Sequence, residues 1–200
     1  MSKVKICGLS RKEDIEAVNR VLPDFVGFVF ARSRRRVDIA TAAALKRKLD
    51  PRIRAVGVFV NEDVSAVAEI YHNGVIDMAQ LHGDEDGEYI RRLKRTCGCQ
   101  VIKSIGVRDT LPPLPGEPDY LLFDTFSGRR GGIGRAFDWN VLKKYRGLPY
   151  FLAGGLSVEN ADSAIDMLNP FCVDVSSGVE TDGMKDANKI EIFVNLVRGR

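Results

Sequence analysis

Short apolar runs recur along the whole sequence, and most of them are followed by a stretch with helical periodicity. Eight runs have the length and composition of buried strands: residues 4–7, 25–30, 55–60, 75–80, 101–105, 120–124, 149–153 and 172–176. Regular alternation of strands and helices is typical of a parallel sheet whose strands are joined by crossover helices. The pattern therefore restricts the chain to α/β architectures.

The helical stretches are identified by apolar residues three and four positions apart. Such stripes follow the first, third and seventh strands and end the sequence, with members Ile15 and Val18, Val64 and Val67, Ala161 and Ile165, and Ile190 and Phe193. Residues that commonly begin helices precede the helical runs. They are a capping box at 10–13 and the single residues Asp38, Asn61, Asp84 and Ser157. Prolines 112, 113 and 115 interrupt the next connection, so we expect a poorly formed fifth helix.

Eight strand-helix units in 200 residues average about 25 residues each, which is close to the minimum for a closed barrel. We predict a compact, single-domain (β/α)8 TIM barrel that covers residues 1–200. A doubly wound open sheet is the alternative, because the same alternation would serve it. The count of eight and the lack of an early GxGxxG motif favour closure.

The composition excludes several classes of protein. Hydrophobic residues make up 44% and charged residues 28%, as in an ordinary globular chain. No apolar run approaches the roughly 20 residues of a membrane span and no secretory signal is recognisable, so we expect a cytoplasmic protein without a membrane partner. Four cysteines and two histidines lack paired ligand spacing, which predicts no metal site. The net charge of +3 permits an anionic ligand but is not a nucleic-acid signature.

Two reactive side chains close predicted strands, where the active site of a barrel lies. Cys7 ends the first strand before Gly8, and Asp124 ends the sixth. A cysteine in an apolar strand is often a buried structural residue, and an aspartate after a strand often caps a turn. At the mouth of a barrel, the same two groups would instead supply a base and an acid for proton transfer.

Lys5 lies two residues before Cys7 and therefore on the same face of the strand. From roughly 6.6 Å away its charge would favour the thiolate. Its alternative role is a buried ion pair, for which Asp174 is the candidate partner. The sequence leaves both roles open.

Small residues follow the last two strands. Gly154 and Gly155 come after the seventh strand, and Ser177 and Gly178 come after the eighth. Glycines in such loops can serve the turn alone. Backbone N–H groups in these two loops are also the usual phosphate site of a barrel, so we expect a phosphate there.

A run of arginines follows the second strand, at positions 32, 34, 35 and 36. Such a run is usually a solvated face, or a nucleic-acid patch when aromatic residues are interleaved, and none is interleaved here. At the rim of a barrel an arginine can hold a substrate carboxylate through a bidentate fork.

Together these motifs resemble the phosphoribosylanthranilate isomerase family. The matching segments are KICG at 5–8, SRRRV at 33–37, QLHGDE at 80–85, LLFD at 121–124, GGIGRAFDW at 131–139, LAGGL at 152–156 and SSGVE at 176–180. The resemblance implies a barrel isomerase of tryptophan biosynthesis. Such an enzyme converts N-(5-phosphoribosyl)anthranilate to 1-(2-carboxyphenylamino)-1-deoxyribulose 5-phosphate by an Amadori rearrangement, without a metal or organic cofactor.

The resemblance also implies roles for residues at matching positions. Cys7 corresponds to the general base, Asp124 to the general acid and Arg35 to the anchor of the substrate carboxylate. Gln80 and His82 match the substrate pocket in position, although a histidine in a surface turn is the alternative for His82.

Two positions depart from the family pattern. Arg34 stands where proline is frequent, so Arg34 or Arg36 could share the anchor role, whereas Arg32 and Arg36 are expected to face solvent. Ile133 stands where threonine or serine is commoner, which leaves any hydroxyl role in that segment in doubt.

Alternatives from other classes make different use of the same residues. A nucleic-acid-binding module would use the arginine run but gives no reason for the two glycine loops. A thiol redox protein would use Cys97 and Cys99, which are predicted to lie before the fifth strand, at the opposite rim of the barrel. The nearest enzyme alternative is another phosphosugar barrel isomerase, against which the cysteine at the first strand argues. The sequence does not indicate the oligomeric state.

Overall fold

The computed structural model describes residues 1–114, 116–125 and 137–199, and its strands form a closed barrel. Eight parallel strands pair in chain order: β1 (Lys3–Cys7), β2 (Phe25–Val29), β3 (Arg54–Phe59), β4 (Met78–Leu81), β5 (Gln100–Val107), β6 (Tyr120–Thr125), β7 (Tyr150–Leu152) and β8 (Cys172–Val175). β1 pairs with β2 on one side and with β8 on the other, which closes the sheet. The prediction of a (β/α)8 TIM barrel is confirmed, and the open-sheet alternative is wrong.

Six α-helices lie in the described part of the chain: α1 (Lys12–Val21), α2 (Ile39–Lys46), α3 (Val64–His72), α4 (Gly87–Cys97), α5 (Ala161–Leu168) and α6 (Ala187–Arg198). Between β5 and β6, the described residues 108–114 and 116–119 contain no helix, as the prolines predicted. After β6, the described residues 137–149 contain a short 3₁₀ helix, Trp139–Leu142.

The predicted helix starts are only partly correct. Asp38 does cap α2, because its carboxylate accepts a hydrogen bond from the backbone N–H of Thr41 at 2.7 Å. Asn61 and Asp84 do not cap helices, because they hydrogen-bond each other across two loops, and α3 and α4 begin two residues later than expected. The caps of α1, α3, α4 and α5 are instead Arg11, Asp63, Asp86 and Asn160.

The capping box before α1 uses a different acid from the one predicted. The carboxylate of Asp14, not that of Glu13, accepts the backbone N–H groups of Ser10 and Arg11, at 2.9 and 3.1 Å. The fourth strand also begins later than predicted, at Met78. Residue 75 lies in the turn that follows α3, where its N–H donates to the Ile70 carbonyl.

A small hairpin after β8 was not predicted. It consists of β9 (Glu180–Thr181) and β10 (Met184–Lys185), joined by Asp182 and Gly183, whose φ angles are 51° and 78°. An Asp-Gly pair is the preferred sequence of a tight two-residue hairpin turn, so the sequence carried a signal for it. This hairpin brings Glu180 and Lys185 to the rim of the barrel.

Apolar side chains form two clusters. The larger contains residues of both strands and helices. The smaller lies within the barrel and is made mostly of strand residues: Phe25, Val56, Met78, Ile102, Leu122, Phe151, Ala153 and Cys172. Among the described residues, no helix is both long and apolar enough to cross a membrane.

Candidate active site

A cavity of about 440 Å³ opens at the carboxyl ends of the strands. Its lining includes nearly all the residues singled out from the sequence: Cys7, Arg35, Gln80, His82, Asp124, Gly154, Gly155 and Ser177. The fold thus brings together groups that come from six different strand ends. Gly178 is the predicted site residue that the lining does not include.

Two glycines make room for the Cys7 thiol and the rim beside it. A Cβ atom on Gly27, in the neighbouring strand, would lie 2.6 Å from the Cys7 sulfur. Gly8 has φ +85°, and a Cβ there would overlap the Cδ atom of Arg35. The strand therefore ends in glycine because the chain turns sharply and the Arg35 side chain lies directly over the turn.

The polar face of β1 carries a buried charged pair. The Lys5 ammonium donates to Asp174 at 2.8 Å, and the Lys5 side chain is fully buried. Although burial alone would lower it, the pKa of Lys5 is raised because the Asp174 carboxylate and the Cys7 thiol lie beside the ammonium. The two roles considered for Lys5 are therefore compatible, since one ammonium contacts both groups.

Burial has the largest effect on the Cys7 thiol. It raises the thiol pKa above its ordinary value, and the Lys5 charge opposes the shift without cancelling it. Asp174 raises the Cys7 pKa further, whereas Lys185 lowers it. The thiol is therefore mostly protonated at neutral pH, and the nearby ammonium is the group that stabilises its thiolate.

Asp124 has the properties of an acid that functions near neutral pH. Burial raises the pKa of Asp124 to about 6, even though the backbone N–H of Thr125 donates to its carboxylate at 2.7 Å. His82 Nε2 lies 3.6 Å from the second carboxylate oxygen. Gly154 permits this arrangement, because a Cβ at that position would lie 2.9 Å from Asp124 Oδ1.

His82 and Gln80 form the wall opposite the β7 and β8 loops. The Gln80 amide nitrogen lies 3.0 Å from His82 Nδ1, and the buried Gln80 amide oxygen has no hydrogen-bond partner among the described residues. An amide oxygen that is buried at a cavity wall is available to a ligand hydroxyl or N–H group. His82 thus lines the cavity from the loop that follows β4.

The loop that carries His82 is held by a second buried ion pair. Lys103 donates to Glu85 at 2.8 Å and to the Gly83 carbonyl at 2.8 Å, and both charged side chains are buried. Glu85 also accepts the backbone N–H of Asn61 at 2.6 Å. The acidic end of the QLHGDE segment therefore fixes two loops of the rim.

The arginine run is divided between different partners. Arg35 donates through Nε and Nη2 to the two oxygens of Glu180, at 2.6 and 3.0 Å, and Arg34 donates to Glu180 at 2.6 Å. Lys185 donates to the same carboxylate at 2.7 Å. Burial would raise the pKa of Glu180, but these cations, Arg35 and Lys185 foremost, lower it to about 2.

Arg32 is exposed to solvent, as expected, and also lies at the rim of the cavity. Glu180 and Lys185 were not predicted as site residues, because their role depends on the hairpin. Lys185 also donates to the Ser176 carbonyl at 2.9 Å, and the Ser176 hydroxyl donates to the Cys7 carbonyl at 2.9 Å. These contacts join the hairpin to the end of β1.

The two small-residue loops meet at the rim. Gly154 and Gly155 have φ angles of 83° and 70°, a conformation that favours glycine. Gly178 lies so close to the Leu156 carbonyl that a Cβ atom at position 178 would overlap the carbonyl oxygen. Its small size thus serves the contact between the loops, while Gly154, Gly155 and Ser177 line the cavity. Residues 131–136 of the GGIGRAFDW segment, including Ile133, lie outside the described residues.

Within the described ranges, no group of three or more histidine, cysteine, aspartate and glutamate side chains is placed to hold a metal ion. Cys97 ends α4 and Cys99 precedes β5, at the amino ends of the strands and away from the cavity. All four cysteines, each of them in a described range, are free thiols.

A closed eight-stranded barrel with a polar cavity at the carboxyl ends of its strands is the architecture of a TIM-barrel enzyme. Residues 4–196 match the family of N-(5'-phosphoribosyl)anthranilate (PRA) isomerases. The chain therefore belongs to the PRA isomerase family.

Individual relatives agree over the whole chain. The N-(5'-phosphoribosyl)anthranilate isomerase of Caldanaerobacter subterraneus is 50% identical over 204 aligned positions, which cover 100% of this chain and 99% of the relative. The crystal structure of the Thermotoga maritima enzyme superposes with a TM-score of 0.86 at 36% identity, and 100% of both chains is covered. A further isomerase structure, with a TM-score of 0.81, 33% identity and 100% of both chains covered, is in complex with reduced 1-(o-carboxyphenylamino)-1-deoxyribulose 5-phosphate.

Proposed function

We propose that this chain converts N-(5-phosphoribosyl)anthranilate to 1-(2-carboxyphenylamino)-1-deoxyribulose 5-phosphate in tryptophan biosynthesis. The observation that carries the proposal is the pairing of Cys7 and Asp124 on one cavity, at the ends of β1 and β6. One group is a potential base beside a buried ammonium, and the other is a carboxylic acid whose pKa is raised to about 6. An aldose-ketose rearrangement requires one group of each kind.

Asp124 is proposed as the general acid of the first step. In its protonated form it gives a proton to the ring oxygen of the ribose, and the bond between that oxygen and C1 breaks. The nitrogen lone pair forms the C1–N double bond, which gives a protonated Schiff base. With a pKa of about 6, Asp124 retains a useful protonated fraction near neutral pH.

Cys7 is proposed as the general base of the second step. Its thiolate removes the proton on C2, and the electrons of that bond form an enolamine that tautomerises to the aminoketone. Lys5 and Lys185 supply the positive charges that lower the thiol pKa against the effect of burial. Atoms balance within the substrate, because the protons gained at the ring oxygen and at C1 are matched by those lost from C2 and from the hydroxyl on C2. Asp124 and Cys7 regain their starting forms by proton exchange.

The two ends of the substrate are assigned to opposite parts of the rim. We place the phosphate against the backbone of Gly154, Gly155, Ser177 and Gly178, where a barrel presents N–H groups to an anion. The carboxylate is assigned to the side of Arg35, two of whose nitrogens are engaged by Glu180 and whose Nη1 is left for a ligand. Gln80 and His82 are proposed to contact the middle of the substrate.

The proposal treats residues 1–200 as one catalytic domain whose partner is a small phosphosugar-anthranilate molecule, with no nucleic acid and no membrane involved. It places the enzyme in the cytoplasm, where four free thiols would stay reduced. No metal or organic cofactor takes part in the proposed steps.

Turnover of the substrate by the purified chain tests the function directly. The substrate is prepared beforehand by condensing anthranilate with ribose 5-phosphate, which releases water, and loss of its fluorescence is followed in the presence of EDTA. We expect first-order loss with formation of the aminoketone product. Absence of turnover in a folded preparation would overturn the proposal, and turnover that EDTA abolishes would overturn its metal-free mechanism.

A further inference from the structure

Two polar side chains lie where the barrel interior changes from apolar core to open cavity. Alternate residues of a strand face the barrel axis, so on β8 Cys172 belongs to the apolar cluster within the barrel and Asp174 lines the cavity. On β4, Met78 and Gln80 repeat this arrangement. Asp174 and Gln80 are both buried, and they form the polar floor of the cavity.

Each of these two side chains has one oxygen atom without a partner among the described residues. Asp174 Oδ2 accepts a hydrogen bond from the Lys5 ammonium at 2.8 Å, whereas the buried Oδ1 atom accepts none from any described residue. The same holds for the Gln80 amide oxygen. The Asp174 side chain is only 6% exposed. A cavity floor with two such acceptors matches a ligand that brings hydrogen-bond donors.

Asp174 lies beside the thiol that is proposed as the base. Lys5 and Asp174 stand opposite each other in the register of β1 and β8, and Cys7 is the next residue of β1 on the same face. The Lys5 ammonium contacts both the Asp174 carboxylate and the Cys7 thiol. A ligand carbon whose C–H bond points at the Cys7 sulfur therefore has a second substituent within reach of the Asp174 carboxylate.

The carbon from which Cys7 takes its proton in the proposed function also carries a hydroxyl group. When C2 loses its proton, that hydroxyl changes from an alcohol to the more acidic hydroxyl of an enol. A hydrogen bond from this hydroxyl to a carboxylate is therefore stronger in the transition state than in the bound substrate.

We propose that Asp174 Oδ1 accepts a hydrogen bond from the C2 hydroxyl group of the substrate and so holds the C2–H bond toward Cys7. The inference rests on the proposed function and adds a substrate-contacting residue to it. Lys5 contributes by fixing Oδ2, which leaves Oδ1 to the cavity. The Gln80 amide oxygen is left for another hydroxyl group of the sugar.

The alternative is that Asp174 serves only as the counter-ion of Lys5. Burial raises the pKa of the Cys7 thiol most, and of the charged groups that face it, Lys5 and Lys185 lower that pKa whereas Asp174 raises it. If Asp174 acts only through Lys5, turnover in a variant falls no further than the thiolate fraction of Cys7. If Asp174 holds the substrate, turnover falls while that fraction stays the same or increases.

The first experiment uses Asp174→Asn, which keeps the shape of the side chain and removes its charge. We expect kcat/KM to fall about 10- to 100-fold, mostly in kcat. The pH dependence of Cys7 alkylation by iodoacetamide, followed by peptide mass spectrometry, should have the same midpoint as in the wild type or a lower one. Asp14→Asn is the matched control, because Asp14 is a buried carboxylate paired with Arg11 away from the cavity. It should change kcat/KM less than about twofold.

The second experiment identifies the ligand group that Asp174 contacts. The probes are the reduced product analogue, which carries a hydroxyl group on C2, and its 2-deoxy and 3-deoxy counterparts, with dissociation constants measured by calorimetry. Loss of the C2 hydroxyl should weaken binding to the wild type about 10-fold and binding to Asp174→Asn about threefold or less. Loss of the C3 hydroxyl should weaken binding to both proteins equally.

Three results would overturn the proposal. An alkylation midpoint that rises as far as turnover falls would reduce Asp174 to the counter-ion of Lys5. An equal effect of the 2-deoxy change in both proteins would show that Asp174 does not contact the C2 hydroxyl. If Asp174→Asn fails to fold, equal affinity of the wild type for the analogue and its 2-deoxy counterpart would be decisive against it. When the wild type turns the substrate over, these failures concern Asp174 alone, whereas an inactive wild type would refute the proposed function.

Discussion

The two ends of the barrel interior are filled differently. At the amino ends of the strands, Phe25, Tyr120, Phe151 and Phe171 pack ring against ring, with centroids 5.0 to 6.5 Å apart. Lys3 and Arg54 lie over these rings and keep their charges at the surface of the cluster. At the carboxyl ends, the same interior holds buried ionisable groups around an open cavity of about 440 Å³.

Apolar packing that stabilises the fold thus lies at one end of the barrel axis, and the groups proposed for catalysis lie at the other end. Aromatic packing at the amino end buries a large apolar area. At the carboxyl end, a buried amide oxygen of Gln80 and a carboxylate oxygen of Asp174 have no hydrogen-bond partner in the part of the chain that the structure describes. Such groups cost folding free energy, and their place on the cavity lining indicates that a ligand satisfies them.

The largest effect is expected from the proton-transfer groups at the carboxyl end. Cys7→Ala and Asp124→Asn should each lower kcat by about 10²- to 10⁴-fold, because each removes one proton transfer. Steady-state turnover and circular dichroism of each variant check the prediction. A Cys7→Ala variant with normal turnover would remove the assignment of the base.

Cysteines at the other end provide the control. Replacing Cys97 and Cys99 together with serine should leave kcat within about twofold, because neither thiol reaches the cavity. A large loss of turnover in that double variant would favour the redox interpretation.

A substitution in the aromatic cluster at the amino end should lower stability and leave kcat nearly unchanged. Phe151→Ala removes a fully buried ring that contacts Phe25, Tyr120 and Phe171, and it should lower the free energy of unfolding by about 3–5 kcal/mol. The kcat of the remaining folded protein should stay within about threefold. Urea unfolding combined with active-site titration measures both quantities, and a large fall in kcat at unchanged stability would contradict the separation of the two ends.

A smaller effect is expected at Glu180, which connects the hairpin to the arginine run. Glu180→Gln keeps the shape but removes the charge shared by Arg34, Arg35 and Lys185. The three cations would then repel one another, and we expect KM to rise roughly 10-fold with a smaller change in kcat. A lower KM in this variant would instead identify Glu180 as a competitor of the substrate carboxylate.

The smallest effect concerns the phosphate loops. Gly155→Ala should weaken competitive inhibition by inorganic phosphate about 3- to 10-fold, because φ of +70° strains any residue with a Cβ and the loop must shift. Gly98→Ala is the matched control, with φ of +68° and open space around it at the end of α4. It should lower stability by a similar amount and leave phosphate inhibition unchanged.

The sequence predicted the fold well because strand and helix periodicity are local properties of the chain. Helix starts were less predictable, since Asn61 and Asp84 carry the right side chains for caps but bond each other across two loops. That choice depends on tertiary contacts, which periodicity does not contain. The hairpin at Glu180–Lys185 has a local signal, the Asp-Gly pair at its turn, which strand and helix periodicity does not contain.

The site was predictable where strand position alone decides it. Cys7 and Asp124 close strands, and a barrel directs every strand end to one rim. The sequence could not show that Glu180 engages Arg34 and Arg35, because the partners are about 145 residues apart. It also could not separate Arg32 from Arg36, since four arginines in one run differ only in the direction that the loop gives them.

The pH dependence of kcat/KM in the wild type and in Asp124→Asn tests the central claim most directly. If Asp124 acts protonated with a pKa of about 6 and Cys7 acts as thiolate with a raised pKa, wild-type kcat/KM should be level between these two values. In that range, each unit of pH increase raises the fraction of Cys7 thiolate and lowers the fraction of protonated Asp124 by the same factor, so their product is constant. Below about pH 6 the acid is fully protonated, so kcat/KM should fall about tenfold per unit as thiolate is lost. In Asp124→Asn only the thiolate titrates, and the residual kcat/KM should rise about tenfold per unit from pH 6 upward. Parallel profiles for the two proteins would contradict the assignment of acid and base.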